Sequence, residues 1–304
     1  MTGCAPDKPY TCAKPLTAPL LVNRSLPGGH GLLRLKVGKS LAARVLPGHF
    51  AQLVCDGNLT LPRPFSIMDV DLEQGSVEIL YRIVGAGTGI MAGWQGGEEI
   101  PLLLPLGRGF TMPNARANVL LIAGGVGLAP LHFLARRLAE RGQEAVLVWG
   151  IETEAPLRTI DARLDAFPSD VPFVEAPRAL ANLDALGVSS RLASLAPVSG
   201  RFQGYVTELA ERYLKGVSES ERSRTVIYAC GPTPMLKAVQ GLAMRHGLRG
   251  EVSLEERMAC GFGVCAACVA PIRGDGEGVW HYKKICTEGP VFEIGDVAWE
   301  RLER

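Results

Sequence analysis

Four cysteines constrain this chain more than anything else in it. Cys260, Cys265 and Cys268 fall within one short run, CGFGVCAAC, and Cys286 stands alone further on. The spacing, C-x4-C-x2-C and then a distant C, is the thiolate pattern of a plant-type 2Fe-2S cluster. Three ligands on one tight loop wrap one side, and the fourth closes the other. The residues between them are small (Gly261, Gly263, Ala266 and Ala267), so the backbone can turn sharply and bring N–H groups near sulfur. A structural zinc site usually takes a Cys-x2-4-Cys knuckle at each end. The second knuckle is missing here, so the spacing favours the cluster, with zinc as the alternative. Cys4, Cys12, Cys55 and Cys230 lack ligand spacing.

The 304 residues leave room for two or three domains. Lys+Arg is 32 against Asp+Glu 31, so there is no basic field of the kind that binds nucleic acid. Thirty-six glycines and 21 prolines favour turns, hence barrels and cofactor loops over helical bundles. Residues 117–135 carry no formal charge, but Asn118, three glycines and Pro130 suit a strand, a turn and a helix better than a membrane span. The N-terminus lacks a signal-peptide layout. A cluster needs reduced thiols, so the expected location is the cytoplasm, with no membrane or nucleic-acid partner.

Periodicity divides the chain, and the predicted fold class is multidomain α+β and α/β. Residues 1–27 are Pro-rich and are expected to be an irregular extension. Residues 28–113 read as an antiparallel β-barrel, with strands at Gly31–Val37, His49–Cys55, Ser76–Val84 and Glu99–Leu104 and no helix between them. Residues 114–247 alternate strand and helix as an open parallel sheet: Asn118–Ala123, a helix from Leu131 to about Arg141, Ala145–Gly150, Val171–Glu175, a helix near 206–214, Thr225–Ala229, and a last helix to about His246. Residues 248–304 carry the cysteines.

Several turns suit anions. Arg63-Pro64-Phe65-Ser66 offers a guanidinium fork and a hydroxyl, although a surface turn leading into a strand has the same look. Leu80-Tyr81-Arg82 ends a strand that runs into Gly85-Ala-Gly87-Thr88, whose backbone N–H groups could cradle a pyrophosphate. Gly124-Gly125-Val126-Gly127 joins a strand to a helix N-terminus, and Cys230-Gly231-Pro232 does the same later. Ligands bind open α/β sheets at such strand ends. Glu152, just past the second strand of that region, would accept from a ribose diol and repel a 2′-phosphate, which favours NAD over NADP. The five lone histidines have no ligand spacing.

These motifs, in the order barrel, α/β region and cysteine loop, resemble the ferredoxin-reductase superfamily. Within it, Glu255–Cys268 and Tyr282–Phe292 resemble the electron-transfer subunits of NAD-linked dihydroorotate dehydrogenases. The resemblance implies FAD held by Arg63–Ser66, Leu80–Arg82 and Gly87-Thr88. It implies NAD over Gly124, Gly125, Gly127, Gly231 and Pro232, with Cys230 near the nicotinamide, and a 2Fe-2S cluster on Cys260, Cys265, Cys268 and Cys286. It also implies an FMN-containing catalytic partner, two copies of each subunit in a heterotetramer, and a place in pyrimidine (UMP) biosynthesis. The alternative is a related NAD(P)H-linked diaphorase subunit of a hydrogenase, a sulfite reductase or a ferredoxin-dependent transhydrogenase. The stretch from Pro177 to Gln203 does not follow the resemblance well.

Overall fold

A computed structural model of the chain describes residues 14–302 apart from 58, 60, 165, 166, 168–176 and 277. The expected strand Val171–Glu175 lies outside the described residues. The chain divides into two units. Residues up to Phe110 join Leu254–Phe292 and the segment from Asp296, while Thr111–Ser253 and Glu293–Gly295 form the other.

The first unit is built on an antiparallel sheet of β1 (Lys14–Leu26), β2 (His30–Lys36), β3 (Phe50–Leu53), β4 (Arg63–Ser66), β5 (Asp69–Asp71), β6 (Ser76–Arg82) and β7 (Glu99–Leu106), with two helices, α1 (Lys39–Ala42) and α2 (Ala86–Ala92). The strand order is β4-β3-β7-β1-β2-β6-β5. The sheet curls, because Phe65 on β4 meets Tyr81 on β6 edge to face at 6.4 Å although they stand near opposite ends of that order. Leu33, Leu35, Ile79 and Leu104 point inward and are fully buried.

Two expectations change here. Residues 14–26 are a strand, not an irregular extension. Lys14–Pro19 pair with β7, and Leu20–Leu26 pair with β2 across a bulge at Leu20/Val22. Each half is therefore bonded on one side by this pairing, so Pro15 and Pro19 cost no ladder bond to β2. Helices also interrupt the barrel. Gly85-Ala-Gly-Thr is the start of α2, capped by Thr88, whose Oγ1 accepts from Val84 N–H at 2.9 Å and Gly85 N–H at 3.2 Å.

The second unit is a parallel sheet with helices. Its elements are β8 (Asn118–Gly124), α3 (Leu128–Glu140), β9 (Ala145–Gly150), the β10–β11 pair (Thr159–Asp161, Arg178–Leu180), α4 (Ala181–Asp184), β12 (Ser189–Ser194), β13 (Phe202–Gln203), α5 (Val206–Gly216), α6 (Glu219–Arg222), β14 (Thr225–Cys230), α7 (Thr233–His246) and β15 (Arg249–Ser253). Within a seven-stranded sheet these six strands run in the order β13-β12-β9-β8-β14-β15, and every pairing among them is parallel. β15 belongs to this sheet, although sequence had grouped it with the cysteines. Residues 293–295 return to the same unit, where Ile294 N–H bonds the Gly250 carbonyl at 2.8 Å.

The cysteine segment carries an antiparallel hairpin, β16 (Val269–Arg273) with β17 (Trp280–Lys284), and one helical turn, α8 (Ile285–Glu288). No described helix is long and apolar enough to cross a membrane.

Candidate functional site

The hairpin explains how a distant fourth thiol reaches the other three. β16 starts at Val269 opposite Lys284, and Ile285 N–H bonds the Cys268 carbonyl at 2.8 Å. Cys268, just before β16, thereby meets Cys286 on α8, and both are buried. Cys260 and Cys265 sit on the preceding loop, where Cys265 N–H approaches Cys260 Sγ at 3.5 Å. The thiols thus form two pairs, 260 with 265 and 268 with 286. Among the described residues, no group of three or more His, Cys, Asp or Glu is gathered as a ready metal site. Two thiol pairs are the donor set that two irons require, two thiolates to each.

The loop's backbone is bent to this end. Gly261 and Gly263 have φ of +75° and +89°, and Ala266, at +54°, has the one positive φ outside glycine among the described residues. An alanine there costs about 1–2 kcal/mol, the kind of local strain that collects at functional loops. The N–H groups turn inward as a result. Burial raises the Cys260 thiol, but bonds from the Cys265, Phe262 and Val264 backbones and from the Cys265 side chain outweigh it, and the pKa falls from 9 to about 7. A hydrogen bond from the Cys286 side chain, opposed by burial, holds Cys268 down to about 6, and Cys286 is raised in return. One thiol of each pair is therefore biased toward thiolate, the form that binds iron.

The loop packs on the barrel within the same unit. A Cβ on Gly261 would lie 2.3 Å from Nε2 of Gln52, and one on Gly263 would lie 2.9 Å from Cγ2 of Thr287. Phe262 and Val264 turn outward, 49% and 75% exposed, beside the exposed Cys265.

The residues expected to hold FAD also converge in this unit. Arg63, Pro64, Phe65 and Ser66 form β4 and are half-buried. The Arg63 guanidinium lies against the first turn of α2, where a Cβ on Gly87 would be 3.3 Å from its Nε. It donates to the Leu61 and Pro62 carbonyls, and among the described residues it forms no ion pair, so its charge is available to an anion. Leu80 and Tyr81 are buried at the end of β6, and Arg82 is exposed. Tyr81 Oη donates to Asn23 Oδ1 at 3.2 Å, and Asn23 Nδ2 donates to the Met91 and Trp94 carbonyls, both at 2.9 Å. Asn23 thus ties β1 to β6 and to the end of α2. Sequence reasoning missed it because it had not placed a strand there.

In the second unit, the two glycine turns meet. β8 and β14 are neighbours in register, with Ala123 opposite Cys230, so both turns leave the same edge side by side. A Cβ on Gly127 would stand 2.3 Å from the Cys230 carbonyl oxygen, and one on Gly124 would stand 2.9 Å from Pro232. Gly125 has a φ of +54°, and its carbonyl accepts from Trp149 Nε1 at 2.9 Å. Gly231 closes on the Gly124 Cα from the other side. The glycines themselves add no side chain here, although Met235 and the Pro232 ring pack against Gly124 and Met235 against Gly231, and bare glycine backbone is what close approach of a pyrophosphate requires. Cys230 is fully buried. Glu152 stands at the same strand-end edge, exposed, and both of its oxygens accept from Leu195 N–H at 3.1 Å.

Comparison with known proteins fits this geometry. The family "iron-sulfur cluster binding domain of dihydroorotate dehydrogenase B" matches residues 255–298. The dihydroorotate dehydrogenase B (NAD(+)) electron transfer subunit of Shouchella clausii (strain KSM-K16) is 37% identical over 258 residues, 83% of this chain and 86% of that protein. Its counterpart in Bacillus cereus (strain Q1) is 36% identical over 255 residues, with the same coverage. Among solved structures, an NADH-dependent reduced ferredoxin-NADP oxidoreductase studied for flavin-based electron bifurcation has a TM-score of 0.71 at 22% identity, covering 99% of this chain and 93% of that one. The cytochrome b5 reductase domain of Ulva prolifera nitrate reductase has a TM-score of 0.59 at 17% identity, covering 80% of this chain and 97% of that one. The two structural likenesses establish the fold.

Proposed function

The chain belongs to the family of electron-transfer subunits of dihydroorotate dehydrogenase B (NAD+), and from that premise we propose that it carries electrons from a separate FMN-containing, dihydroorotate-oxidising subunit to NAD+. When bound, a 2Fe-2S cluster exchanges single electrons, NAD takes a hydride, and FAD does both, so the flavin stands between the other two.

The work of this chain is to hold these groups. Cys260 with Cys265, and Cys268 with Cys286, hold the cluster, and the inward N–H groups of their loop stabilise the thiolates. Arg63 neutralises the FAD pyrophosphate, while Pro64, Phe65, Ser66, Leu80, Tyr81 and Arg82 position the flavin, with Gly87-Thr88 giving the phosphates room. Gly124, Gly125 and Gly127, with Gly231 and Pro232, form the NAD cradle, and Cys230 bounds it beneath. The exposed Phe262 and Val264 beside Cys265 offer the catalytic partner an apolar contact next to the cluster. The assembly is a cytoplasmic heterotetramer, two of each subunit.

The observation that carries this reading is the grouping of four thiols in two pairs, Cys260 with Cys265 on the loop and Cys268 with Cys286 across the β16–β17 hairpin, in the same unit as the Arg63 strand. The test is Cys265→Ser in protein purified without oxygen. We expect the wild-type chain to contain two irons and two sulfides with flavin, and the variant to lose or alter its low-temperature EPR signal while keeping flavin. An unaltered signal in the variant, or zinc in a colourless wild-type protein, refutes the reading. Co-purification from the native host identifies the partner.

A further inference from the structure

The strand beneath the cysteine loop holds a side chain that does not belong in it. β3 reads Phe50-Ala51-Gln52-Leu53, and all four residues are buried. Gln52 is 2% exposed, between Pro64 of β4 and Leu103 of β7 in the sheet register. Among the described residues, neither its Nε2 nor its Oε1 has a hydrogen-bond partner, and both atoms are wholly buried. A leucine or methionine would fill the same space without leaving an amide unpaired, and unpaired buried amides are destabilising. The amide has one notable neighbour. It lies where the Cβ of Gly261 would be, with Nε2 2.3 Å and Cδ 2.7 Å from that point, and Gly261 directly follows Cys260. Gly261 has no side chain, and the amide occupies the room this leaves.

We propose that Gln52 tunes the cluster: its Nε2–H donates to a sulfur of the assembled Cys260 side of the site. The inference rests on the cluster reading above and adds a donor from the barrel that the cysteine motif does not contain. Hydrogen bonds to cluster sulfur stabilise the added negative charge of the reduced form and so raise the potential. The same contact gives a reason for keeping an amide at a position where folding alone favours a hydrocarbon. It also ties the cluster loop to β3, whose neighbour β4 carries Arg63.

The prediction has two arms with opposite signs. In iron-free protein, Gln52→Leu removes an unpaired amide and leaves stability against denaturant equal or improved. In iron-loaded protein it removes a donor. The one-electron reduction equilibrium then weakens roughly tenfold, about 59 mV toward negative potential, read by EPR-monitored titration of the cluster. Gln52→Met, of similar volume and also without a donor, behaves alike. An unchanged cluster potential in both variants overturns the inference, as does a shift confined to the flavin. A wild-type chain that binds no iron and sulfide fails earlier, at the cluster reading, so the two failures are distinguishable.

Discussion

One added methyl at each of two glycines, two residues apart, tests the proposed nucleotide cradle. At Gly127 an ideal Cβ falls 2.3 Å from the Cys230 carbonyl oxygen, 2.5 Å from its carbon and 2.8 Å from Gly231 N. All three are backbone atoms, so no rotamer change relieves the contact. Ordinary contact begins near 3.4 Å, which asks the turns to part by about 1 Å. β8 and β14 are hydrogen-bonded up to Ala123 and Cys230, immediately before those turns, and strands in a ladder sit about 4.8 Å apart with little slack. Overpacking of this kind costs about 1–3 kcal/mol, and the rigid partner puts Gly127→Ala near 3. At Gly125 the Cβ meets nothing within 4 Å, and the cost is its φ of +54°. That is about 1–2 kcal/mol, less about 0.4–1 regained from a less flexible unfolded chain, for a net near 1.

The expected order is therefore Gly127→Ala well below Gly125→Ala, by about 2 kcal/mol. Trp149 reports it directly. It is the one tryptophan in residues 111–253, it is fully buried, and it bonds the Gly125 carbonyl. Denaturant unfolding followed by its fluorescence, in variants that also carry phenylalanine at the other three tryptophans, gives the stabilities. Titration with NADH gives the affinities, which should fall further for Gly127→Ala. If Gly125→Ala is the more damaging of the two, backbone contact between the turns does not organise this site.

Three further outcomes follow from the barrel unit. His49 is buried, its Nδ1 accepts Leu46 N–H at 3.0 Å, and desolvation lowers its pKa from 6.5 to about 4. The unfolded chain binds the extra proton between those values, so stability falls as pH drops from about 6.5 to 4, by about 3 kcal/mol at most. His49→Gln should flatten that part of the stability–pH curve. Asn23→Ala strips the Met91 and Trp94 carbonyls and Tyr81 Oη of their partner; we expect a loss of about 2 kcal/mol and faster FAD release on dilution. Gly261→Ala should loosen iron retention through its φ of +75° and its contact with Gln52. Shortening Gln52 to alanine as well should recover part of that loss, whereas equal or greater iron loss in the double variant contradicts the contact.

The cysteine loop and the glycine turns are legible as local features: short spacing brings thiols together, and glycine marks a turn. The structure adds what spacing cannot carry, namely that the β16–β17 hairpin delivers Cys286 to Cys268. Segments that sequence missed share one property, which is that tertiary pairing overrides their composition. β1 holds two prolines and shows weak alternation, yet it survives by pairing in two halves. α2 begins Ala-Gly-Thr-Gly, a poor helix sequence, and stands on the Thr88 cap and the Asn23 bonds at its other end. β12 reads Ser-Ser-Arg-Leu-Ala-Ser and looks like a surface loop. It is wholly buried, with most of its polar groups paired: Ser190 Oγ accepts Leu180 N–H, and the Arg191 terminal nitrogens donate to the Leu164 and Ser190 carbonyls.

Gln52 resists both ways of reading. In the sequence it is one polar residue in an apolar strand, and in the fold it is one unpaired amide. Only the cysteine motif gives it a partner. The contrast between the two sites follows from what meets each glycine. At Gly127 backbone meets backbone, so the spacing of the two turns at that point is fixed by the sheet. At Gly261 backbone meets a side chain, so the contact can be adjusted by a single substitution in β3 without rebuilding the loop. On the proposed reading, a phosphate cradle needs a constant shape, whereas a redox centre needs a potential matched to its partners. A tunable contact therefore belongs beside the sulfur atoms rather than beneath the nucleotide.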